Sequence, residues 1–273
     1  MRKQISLHLA LLTTNLQNNW TDTNVKISTV YKYIDAIAPF ETQMSFDNAG
    51  LLVGNADGDF ENALLALDIT PAVISEAVEK NCQLIISHHP VIFQPIKKCL
   101  SDSIVYQLAQ NGLTAICAHT NFDMAVGGVN DVICSLLGIH TAEVAQASAE
   151  FRIGMLSQAV CAKDFAKTIA EKLHTSVRLT NHDNLVSKVA VCGGSGGDYY
   201  EEAFEAGAQM LITGEAKHHE LLAAQALGFS LAVAGHFETE TVAMPALAEK
   251  LRVIFPQNHF IVSEQVNPVI TVM

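Results

Sequence analysis

A histidine pair closes a buried apolar run in Leu84-Ile85-Ile86-Ser87-His88-His89-Pro90. Twice more the chain spells His-x-x-x-carboxylate, as His119-Thr120-Asn121-Phe122-Asp123 and as His236-Phe237-Glu238-Thr239-Glu240. Imidazole and carboxylate without thiolate suit divalent Zn, Fe, Mn, Co or Ni, and disfavour a closed structural zinc site. Six donors exceed what one tetrahedral ion needs, so the pattern points to two ions, with a carboxylate bridging them. Glu240, the longer of the two acids, suits the bridge. Two ions sharing a water lower its pKa toward neutrality, which makes hydrolysis the natural reaction class.

Single histidines are weaker signals. His8, His140, His174, His182 and His259 read as ordinary satisfied polar groups. The adjacent pair is different, because neighbours on an extended strand point to opposite sides. His88 and His89 can act together only where the strand ends, and Pro90 favours an end there. In the other two motifs, i,i+4 spacing puts both groups on one helical face if a helix or turn begins at the histidine. Such pairs also occur as plain surface contacts.

These ligands need elements to hold them. An amphipathic helix is expected over 27–38, with Ile27, Val30, Ile34 and Ile37 on one face. Asp47-Asn48-Ala49-Gly50 is turn chemistry. A strand over Ala63 to Asp68 leads to a helix over about 72–80, with Thr70 as N-cap and Pro71 at the first helical position. A strand Leu84 to Ser87 delivers the histidine pair. A helix from Ile104 to Asn111 ends at Gly112, and a strand Thr114 to Ala118 delivers His119.

The second half repeats the first. Ala63 to Asp68 matches Val189 to Gly194, Ala77 to Gln83 matches Ala203 to Gln209, and Leu84 to Ser87 matches Met210 to Thr213, all without a gap. Ala115 to His119 parallels Ala232 to His236. Continuously apolar strands alternating with helices imply parallel or mixed sheets covered on both faces. The expected fold class is therefore α/β, as two related units from an internal duplication with a metal cleft between them. Chance likeness of two β-α-β units is the competing explanation. The expected domains are 25–127 with 233–273, carrying most of the ligands, and 128–232.

Composition bounds the rest. Charged residues are only 16%, against roughly 25% in an average soluble protein; so sparse a surface suggests cover by other subunits. The net charge of −12 argues against nucleic acid as a main partner, which needs clustered Lys and Arg. No apolar run approaches a membrane span. The six cysteines lack C-x-x-C spacing and read as buried free thiols of a reducing cytosol, not as metal ligands. Residues 1–24 only faintly imitate a signal peptide and read as a poorly ordered extension, with translation starting at Val25 as one hypothesis.

Two further segments carry a weaker signal. Gly193-Gly194-Ser195-Gly196-Gly197-Asp198 is a Gly-rich strand-to-helix turn of the kind that cradles phosphate, but Asp198 opposes an anion and a plain tight turn fits as well. Thr213-Gly214-Glu215-Ala216-Lys217-His218-His219-Glu220 ends the strand equivalent to the one carrying His88. Glu215, Lys217, His218 and His219 are expected to lie in or beside the site, although His218 and His219 also suit a solvated helix.

Six motifs in this order resemble the GTP cyclohydrolase I type 2 homologue family, the Nif-three-like proteins. They are Phe46 to Gly50 with Leu51 to Gly54, Ser87 to Pro90, His119 to Asp123, Gly193 to Gly197, Thr213 to His219 and Gly235 to Glu240, over about residues 25 to 273. The resemblance implies a two-domain α/β protein with a dinuclear metal centre, assembled as a toroidal homohexamer. It carries the metal ligands onto His88, His89, Asp123, His236 and Glu240, with His119 as a further ligand or a proton-transfer group. The expectation is a cytoplasmic metal-dependent hydrolase or cyclohydrolase acting on a small molecule, with a non-catalytic metal-binding or scaffold ring as the alternative.

Overall fold

The computed structural model describes residues 25–140 and 150–269. The expected extension over residues 1–24 lies outside them. The chain forms two compact units, one built from residues up to Phe122 with Met244–Gln265, the other from Asp123–Ala243 and the chain from Val266 on. The division falls after Phe122 and after Ala243. It assigns Asp123, His236 and Glu240 to the second unit.

In the first unit, helix α1 (Ile27–Ile37) precedes strand β1 (Gly50–Val53) and strand β2 (Asn62–Ala66). Helix α2 (Pro71–Glu79) follows, then β3 (Cys82–Ser87), α3 (Ile104–Gln110) and β4 (Thr114–Cys117). The Thr70 side chain accepts the Val73 N–H and Pro71 opens the helix, as the sequence requires. The sheet order is β1-β4-β3-β2-β10, where β10 is His259–Val262. Strands β10, β2, β3 and β4 run parallel, and β1 is antiparallel to β4. Leu64, Ala66, Ile85 and Ala115 turn one face of the sheet to Val73, Ile74 and Ala77 of α2 and Leu108 of α3. Leu65, Leu84, Ile86 and Ile116 are just as buried on the alternate face, which is why these strands read as unbroken apolar runs.

The second unit holds α4 (Thr120–Met124), which the division cuts, and α5 (Val129–Leu136). Then come β5 (Arg152–Cys161), α6 (Ala162–Leu173), β6 (Arg178–Leu179), β7 (Leu185–Cys192), α7 (Tyr200–Glu205), β8 (Met210–Thr213), α8 (His218–Ala226), β9 (Ser230–Val233) and α9 (His236–Thr241). A last helix, α10 (Ala243–Ile254), returns to the first unit. The sheet order is β5-β7-β8-β9-β6.

The repeat is visible in the register. Ala63 pairs with Leu84 and Ala66 with Ser87; Val189 pairs with Met210 and Cys192 with Thr213. These are the ungapped positions matched in the sequence. Each unit also adds an antiparallel edge, β1 on β4 and β6 on β9. The units differ at the other edge, where β10 is parallel to β2 but β5 is antiparallel to β7.

The third strands need a correction. Thr114 pairs with Leu84 as Ser230 pairs with Met210. The Ala118 N–H bonds to the Ser87 carbonyl as the Ala234 N–H bonds to that of Thr213. His119 is thus equivalent to Gly235, and His236 stands one residue further on. The two His-x-x-x-acid motifs are not matching positions.

Candidate metal-binding site

Parallel β2, β3 and β4 deliver their carboxyl ends to one edge of the first sheet, where open α/β sheets place their chemistry. Asp68 follows β2, His88 and His89 follow β3, and His119 follows β4. The start of β1 pairs with the end of β4 (Gly50 with Cys117), which brings the preceding turn and its Asp47 to the same edge.

There the three imidazoles form a triangle, with ring centroids 5.1, 5.2 and 5.5 Å apart. One ligating atom from each of His88, His89 and His119 lies within 4.8 Å of the others. Each ring is anchored through Nδ1. In buried His88 it lies 2.9 Å from the Ala118 carbonyl, in His89 2.7 Å from Asp68 Oδ1, and in His119 2.8 Å from Asp47 Oδ1. A carbonyl or carboxylate oxygen only accepts, so Nδ1 carries the proton and the lone pair sits on Nε2. Orienting contacts of this kind are what metal-binding histidines use.

Asp47 is itself tightly held. Burial opposes its ionisation, but hydrogen bonds from His119, Thr120 and the Asn48 N–H outweigh this and hold the pKa at about 2. Thr120 also accepts the Met44 N–H, and Asn121 accepts the His119 N–H while donating to the Ala38 carbonyl. The turn over 44–48 and the end of β4 are thereby locked to each other.

In the second unit, His236 and Glu240 share one face of α9, with Nε2 3.0 Å from Glu240 Oε2. His236 Nδ1 lies 3.4 Å from Glu215 Oε1. The buried Glu240 carboxylate occupies space that glycine leaves: a Cβ on Gly194 would fall 2.0 Å from Glu240 Oε1. A Cβ on Gly214 would fall 2.7 Å from Thr239 Oγ1 and 2.8 Å from His236 Cα. Burial, then the nearby carboxylates of Asp123, Asp198, Glu240 and Glu150, push the Cys192 thiol far up. That thiol stays protonated, chiefly because it is buried. All six cysteines are free thiols; Cys82, Cys117, Cys134 and Cys192 are buried, but Cys99 is exposed and Cys161 half-buried.

The structure brings His88, His89 and His119 together in the first unit. In the second it joins His236 to Glu240 and places Asp123 among the carboxylates around Cys192. Glu215 touches His236, while His218 and His219 are exposed on α8. The Gly-rich turn is committed to packing at three positions: the N–H groups of Gly193, Gly194 and Gly196 go to Asn130, Thr239 and Thr213. Asp47 and Asp68 escaped the sequence reading as functional residues. The signal for Asp68 was its place at the end of an apolar strand; Asp47 looked like any turn aspartate.

Residues 25–268 match the family profile described as Duf34/NIF3 (NGG1p interacting factor 3). The chain is 31% identical to a GTP cyclohydrolase 1 type 2 homolog of Clostridium acetobutylicum, covering 84% of this chain and 90% of that one. It is 32% identical to the protein of that name from Lactococcus lactis, over 84% and 92%. A Staphylococcus aureus hypothetical protein superposes with a TM-score of 0.85 at 27% identity, covering 90% of this chain and 99% of the other. A Bacillus cereus protein related to NIF3 shares the fold, with a TM-score of 0.86 at 21% identity over 91% and 99%.

Proposed function

The chain belongs to the Duf34/NIF3 family, and from that membership we propose that it is a metal-dependent hydrolase or cyclohydrolase acting on a small molecule. In this reading His88, His89, Asp123, His236 and Glu240 hold two divalent ions drawn from Zn, Fe, Mn, Co and Ni. The observation that carries it is the triangle of imidazoles, each with Nδ1 pinned to an oxygen acceptor. The donors fit such ions, being imidazoles and carboxylates, of which Glu240 is buried, without thiolate. The chemistry the ions supply is Lewis acidity and a water activated near neutral pH.

The chain's own residues supply the rest. His119 takes and returns a proton at Nε2, because its Nδ1–H is committed to Asp47. Ionised Asp47 stabilises the imidazolium that forms, as a buried carboxylate does behind a catalytic histidine. Asp68 keeps His89, and Glu215 keeps His236, in the ligating orientation. The name shared by the relatives, GTP cyclohydrolase 1 type 2 homolog, supports ring-opening hydrolysis as the reaction type. The low charge content and exposed Phe46, Phe93, Ile96 and Leu100 support a homo-oligomer, read as a homohexamer in the cytoplasm. Among the described residues no helix is long and apolar enough to cross a membrane.

Elemental analysis after metal-replete purification tests the centre. About two equivalents of transition metal per chain are expected, as a two-ion site requires, with a sharp drop in Glu240→Ala. Less than one equivalent overturns the reading. Turnover on a panel of nucleotides, pterins, cyclic amides and phosphoesters then separates the enzyme from an inert metal-binding ring.

A further inference from the structure

The second unit contains a polar cavity of about 330 Å³, lined by Arg178, Ser195, Asp198, Glu215, Lys217 and Glu220 among others. That is the small end of the range for metabolite pockets. Two of its charged groups are already committed to each other. Glu220 is buried and lies 3.2 Å from Lys217 Nζ, and its other oxygen accepts the Lys217 N–H at 2.7 Å. A third, Glu215, leans on His236. Arg178 and Asp198 remain, with no ion-pair partner among the described residues. A guanidinium presents a fork of donors that fits carboxylate or phosphate, and a carboxylate presents only acceptors. A wall offering both asks for a ligand with both.

We propose that this cavity binds a small zwitterion: a carboxylate or phosphate on Arg178, and an amine a few bonds away on Asp198. Because Glu215 both lines the cavity and touches His236, the ligand lies one side chain from a proposed metal ligand. The cavity is then the substrate subsite of the hydrolase, a role that rests on the metal reading; the binding itself does not.

Calorimetric titration of the full chain with phosphoethanolamine, β-alanine and inorganic phosphate tests this, before and after chelator treatment. The first two probes carry an anion and an amine, and differ in which anion; the third lacks the amine. Saturable binding of at least one zwitterion is expected, and the tighter of the two identifies the anion. Arg178→Ala should weaken every probe at least about tenfold, the loss of one charge-assisted pair. Arg178→Lys, which keeps the charge without the fork, should fall in between. Asp198→Asn should weaken only the amine-bearing probes. Arg178 is exposed on a two-residue edge strand, so unchanged melting of its variants is the folding control.

Three outcomes overturn the proposal: no saturable binding of either zwitterion, affinities indifferent to Arg178, or binding abolished by the chelator, which would put the probes on metal. Equal affinity for phosphate and phosphoethanolamine with no Asp198 dependence overturns the zwitterion assignment. Binding that survives the chelator, in a chain found to lack metal, upholds the site while the hydrolase reading fails.

Discussion

His119 Nδ1 lies 2.8 Å from Asp47 Oδ1, and the Asp47 side chain has no exposed surface. The two residues are 72 positions apart. They meet because β1 runs antiparallel to β4 and starts where β4 ends. The edge strand therefore does more than finish the sheet: it carries in the turn that fixes the tautomer of a site histidine.

Removing that anchor should loosen the site without dismantling the unit. Asp47→Ala is expected to lower turnover roughly 10²- to 10⁴-fold, the usual worth of a positioned acid–base group, while metal affinity, measured by competition with a chromophoric chelator, stays close to wild type. Asp68→Ala removes the carboxylate beside the proposed ligand His89 and should instead lower metal affinity, by up to roughly 10- to 100-fold. Unchanged turnover in Asp47→Ala would mean that the contact does not orient His119.

The contacts that Glu76 makes to the returning chain should respond to pH. Glu76 on α2 binds Lys80 at 2.7 Å, the Ser263 hydroxyl and the Glu264 N–H. Burial raises its pKa, but those hydrogen bonds and the Lys80 charge more than offset this, and the net shift is downward from 4.5. A carboxylate depressed on folding stabilises the protein fully above its unfolded pKa and loses that contribution as pH falls through the folded one. The stability gap between wild type and Glu76→Gln should be full above pH about 4.5 and narrow below it. Urea unfolding of chelator-treated protein at a series of pH values checks this. A gap that widens on acidification would reverse the sign.

The strands were legible because the residues that bury them on both faces are continuously apolar, and because Thr70, Pro71 and Gly112 punctuate the helices between them. The duplication was legible for the same reason: Ala63 to Ser87 and Val189 to Thr213 match without gaps and pair in the same register. It ceased to be legible at the strand ends. Asp68, His88 and His119 of the first unit are equivalent to Gly194, Gly214 and Gly235 of the second. Sequence likeness placed His236 opposite His119, but hydrogen bonding of Ala118 and Ala234 puts Gly235 there. Gly235 has φ +91°, a conformation that suits glycine, and it sets His236 back by one residue to open α9. Asp47 was invisible as a site residue because its partner lies across a sheet edge that no local pattern encodes.

Gly194 shows what the second unit's glycines are for. Its φ is +61°, and an added Cβ would fall 2.0 Å from Glu240 Oε1. Gly194→Ala should therefore destabilise the protein by about 1–3 kcal/mol from backbone strain, and should also displace the Glu240 carboxylate. A loss of bound metal beyond that seen in an equally destabilised variant remote from the site is the expected signature. Gly112→Ala is that control, because its φ is also positive but nothing lies within 4 Å of the added carbon.

Arg152 offers the sharpest separation of stability from function. Its side chain is buried, with Nε 2.6 Å from Asp131 Oδ1 and Nη2 bonded to the carbonyls of Met124 and Ala125. Asp131 in turn accepts the Gly127 N–H. Removing one member of a fully buried ion pair costs about 3–5 kcal/mol; the Asp131 side chain keeps 23% of its surface, which puts the cost here at the low end of that scale. Arg152→Met should lose stability on that scale, measured by urea denaturation. Because the gripped carbonyls directly follow Asp123, the variant should also lose metal under conditions where it is still fully folded. Arg152→Lys retains the charge but not the fork that reaches Asp131 and two carbonyls at once, so it should recover part of the stability and less of the metal. If Arg152→Met keeps its metal while losing its stability, the segment after Asp123 is held for packing alone.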